Sequence, residues 1–509
     1  MAGNPTRVRG LDRLLRATVG ARPTAPALIT GPGRTPVGYA ALDALVDDLA
    51  GRLTAGGLRA GDLVALEAAN GVEFVAGLLG AARAGLVVAP LDPALARPER
   101  AIRLDRLGAR ILLTDQDIDG DFPAWKLTFT PGSTRLQVDT ATPPRPSPDN
   151  GPRLSADDAL VMFTAGTTGQ PKMVPWTNRG VAAVVGEICA CYELGPADAT
   201  VAVMPFFHGH GLIAGLLAPL ASGGSILLPA GGRFSAHKFW TDLAAGRATW
   251  FTAVPTIVEI LLARADTDRR TAPETRLRFV RTCSAPLNPT TAEAFEQLVG
   301  APVLAAYGMT ETTHQATSQS FATGPGKPGT VGRATGVEIR VVDGDGKPCP
   351  ADAAGEIWVK GPTVTRGYLG DAAETARTFT DGWYHTGDLG VLDPDGSLTV
   401  TGRIKTLINR GGEKISPEHV EEILDQYPAI AESAVLGEPD PTLGERVVAM
   451  VVPRDGRSIE PDRLLGACRD RLARYEIPED IRVVHRIPHT PKGAIDRTAA
   501  LTAYQNPTT

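Results

Sequence analysis

Through the first 330 residues, short apolar runs bounded by Gly and Pro alternate with Ala/Leu-rich stretches of helical spacing, and this rhythm admits few folds. One instance is Asp62-Leu63-Val64-Ala65-Leu66, then a helical pattern from about Val72 to Ala84, then Leu86-Val87-Val88-Ala89-Pro90. A run that is apolar without alternation suits a strand covered on both faces, so the pattern predicts βαβ units and parallel sheets under helices. From about Val331 the character changes. Short strands such as Glu338–Val342 and Glu356–Val359 are separated by Asp-Gly turns like Asp343-Gly344-Asp345-Gly346, which predicts antiparallel strands and a small barrel. Beyond Gly402 the last hundred residues read as a separate α+β unit. Its first helix is signalled by Ser416 as N-cap, Pro417 at the first helical position, Glu418 in the first turn, and Val420, Ile423 and Leu424 on one face.

At 509 residues the chain exceeds one ordinary domain, and 43% hydrophobic with 21% charged residues is the composition of a globular protein with ample core. A net charge of −6 argues against a nucleic-acid partner, whose phosphates need a concentrated positive field. Five scattered cysteines with no Cys-x-x-Cys spacing give neither a disulfide framework nor a zinc site. The Arg-rich first 22 residues lack the apolar core of a secretory signal, no apolar run is long enough for a membrane span, and the final residues carry no peroxisomal tripeptide. The expectation is a cytoplasmic protein with no membrane span. The sequence leaves the oligomeric state open.

Thr164-Ala165-Gly166-Thr167-Thr168-Gly169-Gln170-Pro171-Lys172 combines two glycines, three threonine hydroxyls and a terminal lysine, a set that can wrap a polyphosphate with backbone N–H groups, hydroxyls and one positive charge. Taken alone, such a cluster also suits an ordinary surface turn. It departs from the common P-loop, because a proline precedes the lysine and Met173-Val174-Pro175-Trp176 reads as a strand rather than a helix start. A second constellation, Tyr307-Gly308-Met309-Thr310-Glu311-Thr312-Thr313, follows the apolar strand Val303–Ala306. A carboxylate beside a hydroxyl at a strand's C-terminal end suits Mg²⁺ bridging phosphate oxygens, although a capping or turn role fits equally well. Two further segments are Gly382-Trp383-Tyr384-His385-Thr386-Gly387-Asp388 and the stretch from Gly402 to Lys414. An acidic residue such as Asp388 is a usual way to hold ribose hydroxyls.

These four segments, in this order, resemble the adenylate-forming superfamily of acyl-CoA synthetases, firefly luciferases and nonribosomal peptide adenylation domains, and the resemblance covers essentially the whole chain. It implies a fold of class α/β plus α+β: a large N-terminal domain of two parallel-sheet α/β subdomains and a small β-barrel over residues 1–402, then a mobile α+β lid over 403–509. It implies ATP, Mg²⁺ and coenzyme A. Thr164, Gly166, Thr167, Thr168 and Lys172 would form the phosphate loop, with Tyr307 also at the nucleotide. Thr310 would contact phosphate, Glu311 would carry Mg²⁺, and Asp388 with Arg403 would grip the ribose. Lys405 aligns with the position about which the lid turns between half-reactions, and Gly411-Gly412 would line the pantetheine path. The implied chemistry has two steps, attack of a carboxylate on the α-phosphate to give acyl-AMP and pyrophosphate, then displacement of AMP by a thiol.

The family usually carries near its end a segment like Pro-x-Thr-x-x-Gly-Lys-Ile-x-Arg, whose lysine bridges substrate carboxylate and α-phosphate. Here the aligned stretch is Pro488-His489-Thr490-Pro491-Lys492-Gly493-Ala494-Ile495-Asp496-Arg497, with Ala494 at the lysine position. Three explanations compete: Lys492 substitutes from two residues upstream, Ala494 is a deliberate replacement, or adenylation is slow or uses another cation. Substitution by Lys492 is favoured, since an extended chain advances about 3.3 Å per residue and a loop shift of that size would bring its side chain into place.

In this family the acyl site is walled by segments that align here with Met204–Gly211, Ala253–Thr256 and Thr282–Pro286. His208, His210, Ser284 and His314 are the candidates to converge there; each histidine by itself also suits a satisfied core residue. Several buried imidazoles disfavour a fatty acyl tunnel. The segments resemble the oxalate–CoA ligase branch, in which His and Ser receive the substrate's second carboxylate, although Val258 stands where that branch prefers histidine. The leading expectation is an acid:CoA ligase for a small or dicarboxylic acid. The alternatives are an adenylate-forming enzyme that does not use CoA, such as a diazotase activating nitrite or one passing the acyl group to a carrier protein or amine, and a nucleotide-binding homologue without turnover.

Overall fold

A computed structural model describes residues 11–506 apart from 12, 32, 119, 141, 149–150, 165–170, 270–274, 322–325, 411–412, 470 and 491–493. The chain divides into two compact units. The first comprises Met1–Leu287, Thr291–Ile339 and Val359–Tyr384, and the second Asn288–Thr290, Arg340–Trp358 and His385–Thr509. The second unit thus takes in residues 340–358 and 385–402 as well as 403–509.

In the first unit a seven-stranded sheet runs in the order Gln137–Asp139, Ala124–Thr128, Leu112–Thr114, Leu63–Glu67, Val87–Leu91, Asp158–Thr164, Lys172–Thr177. Its central strands are parallel, and antiparallel neighbours close both edges. Leu63–Glu67 and Val87–Leu91 are buried along their whole length, as unbroken apolar runs require, and the helix Val72–Arg83 joins them. That helix packs against Tyr39–Ala55, whose Leu42, Leu45, Val46, Leu49 and Leu53 repeat at three- and four-residue spacing on the buried face.

A second sheet in the same unit has the order Trp250–Ala253, Phe279–Thr282, Val303–Tyr307, Thr317–Ser318, Arg333–Ala334. The first three strands are parallel, so their C-terminal ends share one edge, where ligands of open α/β sheets commonly bind. Side chains alternate across this sheet. Trp250 and Phe279 join the larger core, whereas Phe251 and Val280 join a second core with Val258 and Leu261. Among the described residues no helix is long and apolar enough to cross a membrane.

In the second unit, residues 388–392 of the strand Trp383–Leu392 pair antiparallel with Leu398–Arg403, placing Asp388 opposite Arg403. The expected Asp-Gly turn forms, with Gly346 N–H donating to Asp343 O and the Asp343 carboxylate accepting from the Asp345 and Lys347 amides. A further sheet is built on the long antiparallel pair Ile430–Asp440 and Gly444–Pro453. The helix Pro417–Asp425 starts as its sequence predicts, Ser416 Oγ accepting from His419 N–H at 3.3 Å, and it buries Val420, Ile423 and Leu424.

Arg497 ties this unit together. Its guanidinium donates to both oxygens of Glu421, at 2.5 and 3.0 Å, and to Glu418 at 3.0 Å. Burial raises the Glu421 carboxyl, and Arg497 opposes that shift. Arg497→Ala therefore leaves a buried carboxylate without its cation, and a loss of about 3–5 kcal/mol is expected in urea unfolding of the second unit. An unchanged unfolding midpoint would rule out this role for the pair.

Candidate active site

The hydroxyl-rich loop connects two antiparallel strands. Thr164 ends one, Lys172 opens the next, and the two residues face each other in register. The segment after the proline is a strand, as its sequence predicts. Gly166, Thr167 and Thr168 lie outside the described residues. Lys172 Nζ is ion-paired with Glu374 Oε1 and sits 4.5 Å from the centre of the Tyr368 ring. The hydrogen bond from Lys172 is the main reason the Glu374 carboxyl lies below its usual range. Glu374 and Tyr368 come from a stretch that carries no recognisable motif, and sequence reasoning missed both.

Tyr307 ends its parallel strand, and Thr310–Thr312 form a short 3₁₀ turn just beyond it. The turn is fixed from two sides. Trp176 Nε1–H donates to Thr310 O at 2.6 Å, and Thr365 N–H donates to Glu311 O at 2.8 Å. The chain doubles back so closely that a Cβ on Gly308 would lie 1.9 Å from His314 O, so only glycine fits there. The buried Glu311 carboxylate accepts from Tyr368 O–H at 2.9 Å. Burial foremost, and then Glu311, keep Tyr368 protonated as that donor. Among the described residues no group of three or more His, Cys, Asp or Glu side chains could cage a metal. A single carboxylate suits Mg²⁺ held otherwise by phosphate oxygens and water.

Three of the four expected acyl-site residues converge in the first unit. His210 Nδ1 lies 3.2 Å from Ser284 Oγ, and the His210 and His314 rings stack with centres 5.2 Å apart. His208 lies two residues before His210 and close enough for its charge to act on that ring. Val258 is enclosed in the second core of this unit rather than supplying a further imidazole. What joins the cluster is a residue absent from the sequence-derived set, Arg281, on the strand Phe279–Thr282. Its side chain is 0% exposed. Its Nη2 donates to His314 Nε2 at 3.1 Å and Gln315 Oε1 at 2.9 Å, while Nη1 lies 3.2 Å from both His210 Nε2 and Thr252 Oγ1. An arginine within a short strand whose neighbours are Phe and Val was the available signal.

Backbone strain concentrates at the same place. Ser284, Thr313 and His314 adopt φ of 80°, 52° and 90°, conformations that cost side-chain-bearing residues on the order of 1–3 kcal/mol each. His210 begins an eight-residue π-helix, His210–Leu217, a rare form often found at functional sites.

Both imidazoles are held neutral. Burial lowers the pKa of His210 and of His314 well below 6.5; Arg281 adds to this in each, as do His208 for His210 and His210 for His314. In the unfolded chain both rings bind protons as the pH falls through about 6.5, whereas in the fold they do not, so acid favours unfolding. Stability should fall by about 1 kcal/mol per imidazole between pH 6.5 and 5.5, because the unfolded ring is half protonated at the upper end of that window. His314→Asn should remove half of this combined contribution in urea unfolding at stepped pH, and an identical pH dependence in wild type and variant would contradict it.

In the second unit Asp388 Oδ1 and Arg403 Nε form an ion pair at 2.7 Å, the carboxylate buried and the guanidinium largely exposed. Lys405 is exposed in the turn Ile404–Thr406. Gly411, Gly412 and Lys492 lie outside the described residues. Around the last of these, Thr490 N–H donates to Ala494 O at 2.8 Å.

The family model described as AMP-binding enzyme matches residues 15–369, and that described as AMP-binding enzyme C-terminal domain matches 419–494. The chain belongs to the AMP-binding enzyme family. An oxalate–CoA ligase of Arabidopsis thaliana is 39% identical over 91% of this chain and 93% of its own. A sulfoacetate–CoA ligase of Cupriavidus necator is 35% identical over 94% and 95%. Among solved structures, ATP-bound MatB from Rhodopseudomonas palustris matches with a TM-score of 0.85 and 29% identity, covering 98% of this chain and 99% of that one. The AMP-binding enzyme described by these residues is an ATP-dependent, AMP-forming acid:CoA ligase that uses Mg²⁺ and coenzyme A.

Proposed function

We propose that this ligase activates a small dicarboxylic or otherwise dianionic acid of the oxalate type, forming acyl-AMP with release of pyrophosphate and then the acyl-CoA thioester. The observation that carries the reading is the buried pair His210 and His314 around Arg281, with the exposed Ser284 beside His210. Neutral imidazoles and a hydroxyl can solvate a second anionic group, whereas enclosing them against an alkyl chain would leave polar atoms unpaired. Relatives named for oxalate and sulfoacetate, each a carboxylate with a second acidic group, support the same class.

In this reading Glu311 holds Mg²⁺, which neutralises phosphate charge when bound, and Thr310 donates to a phosphate oxygen. Thr164, Gly166, Thr167, Thr168 and Lys172 serve the phosphates, Tyr307 serves the nucleotide, and Asp388 with Arg403 serves the ribose. Lys172 must exchange Glu374 for phosphate, so that carboxylate keeps it charged and in place until ATP arrives. Lys492 takes the part of the missing adenylation lysine, Lys405 the hinge, and Gly411-Gly412 the thiol path. Residues 1–402 act as the nucleotide and acyl domain, and 403–509 as the lid.

The deciding assay is pyrophosphate and AMP release with oxalate, short mono- and dicarboxylic acids, aryl acids and nitrite, with and without CoA. CoA-dependent AMP formation greatest with a short diacid is expected. A preference for aryl or long-chain acids, or turnover indifferent to CoA, would overturn the proposal.

A further inference from the structure

Arg281 is a buried cation without a counter-ion. Among the described residues neither Asp nor Glu pairs with it; its partners are Tyr192 Oη at 3.1 Å, Thr252, His210, His314 and Gln315, and the Cys283 side chain also lies within its reach. A guanidinium has five N–H donors, no acceptor, and stays charged at any ordinary pH. Its burial is costly unless something anionic completes the site. The strand carries it there because Arg281 follows Phe279 by two residues and faces the same side of the sheet, beside Thr252 in register.

The geometry points to a directed role. A guanidinium N–H facing an imidazole nitrogen requires that nitrogen to be the lone-pair side of a neutral ring. Nε2 of both rings faces Arg281, and Nε2 of His210 also lies 2.6 Å from Thr252 Oγ1, which donates to it while accepting from Arg281. The proton of each ring therefore sits on Nδ1. His210 Nδ1–H donates to Ser284 Oγ, which leaves the hydroxyl proton of the exposed Ser284 to donate outward. His314 Nδ1–H makes no hydrogen bond to any described residue.

We infer that Arg281 is a positioning residue which fixes His210 and His314 as Nδ1–H tautomers, so that Ser284 O–H and His314 Nδ1–H are presented together as donors to the second anionic group of the substrate. The inference rests on the proposed dianionic substrate class and names the residue that enforces it. Arg281 itself need not touch the acid. Its charge reaches the anion through the two rings, and the anion is the counter-ion the cluster lacks. The strained backbone at Ser284 and His314 holds the two outgoing donors in place.

The test has two readouts. Long-range ¹H–¹⁵N spectra of the histidine-labelled full chain, assigned with His210→Asn and His314→Asn, should show both rings neutral and protonated on Nδ1 at pH 6.5. An Nε2–H tautomer or an imidazolium at either position overturns the inference in the wild-type protein alone, whether or not any variant folds. Arg281→Met, checked by thermal melting, should lose the fixed tautomers and raise KM for oxalate about tenfold or more, with KM for ATP moving much less. Unchanged tautomers and an unchanged oxalate KM in that variant would overturn it. Failure of the substrate reading looks different, because wild type would then give no CoA-dependent AMP with oxalate or any short diacid while the spectra still reported on Arg281.

Discussion

Glu311→Gln is expected to lower kcat/KM for pyrophosphate release on the order of 10²–10³ and to raise the Mg²⁺ concentration needed for half-maximal rate. Glutamine keeps the length of the side chain and an oxygen able to accept from Tyr368 O–H, as Glu311 Oε1 does at 2.9 Å. What disappears is the negative charge. The surroundings of Glu311 are rigid, with its carbonyl held by Thr365 and the preceding carbonyl held by Trp176, so the substitution isolates charge from geometry. Removing a buried carboxylate also relieves a desolvation cost, so the melting temperature should hold or rise. Initial rates across a Mg²⁺ titration at saturating ATP check the prediction. A variant with wild-type Mg²⁺ dependence would remove Glu311 from the metal.

Lys492→Ala should slow acyl-adenylate formation by a comparable factor, on the order of 10²–10³, because adenylation must neutralise charge that builds between the incoming carboxylate and the α-phosphate. Ala494 is exposed, and its carbonyl accepts from Thr490 N–H at 2.8 Å. Single-turnover adenylation separates this step from thioester formation on supplied acyl-AMP, which should change only a few-fold. Adding Ala494→Lys to Lys492→Ala should restore adenylation by returning an ammonium to the position the family uses. Unchanged adenylation in Lys492→Ala would reject the substitution of one lysine by the other.

Elements set by neighbouring residues are readable in the sequence. The helix Val72–Arg83, the strands flanking it, the Asp343–Gly346 turn and the Ser416-capped helix lie where spacing and turn chemistry put them. The same holds for the strand Lys172–Thr177, legible in Met173-Val174-Pro175-Trp176. His210 and Ser284 were legible as candidates because their segments align with the acyl-site walls of the family the sequence resembles, and His314 because it directly follows the motif Thr310-Glu311-Thr312-Thr313. Their convergence was a different kind of information. His210 and His314 stack on one another and share Arg281, separated in sequence from them by 71 and 33 residues. Arg281 left little trace, since one arginine in a four-residue strand is compatible with either face of a sheet.

Lys172 makes the same point from the phosphate side. Its charge and the glycines without Cβ before it are properties of a short segment, and they marked a candidate polyphosphate loop. That the lysine pairs with Glu374, 202 residues away, and that Tyr368 reaches Glu311 across 57, depends on the return of Val359–Tyr384 to the first unit. The sequence by itself determined the elements, their order and the chemical types present, because these follow from periods of two and 3.6 residues and from local turn geometry. Only the tertiary structure decided which charges are buried, which tautomers they impose and which partners hold them. Those are set by the meeting of sheet edges distant along the chain, where removal from water makes each polar contact selective.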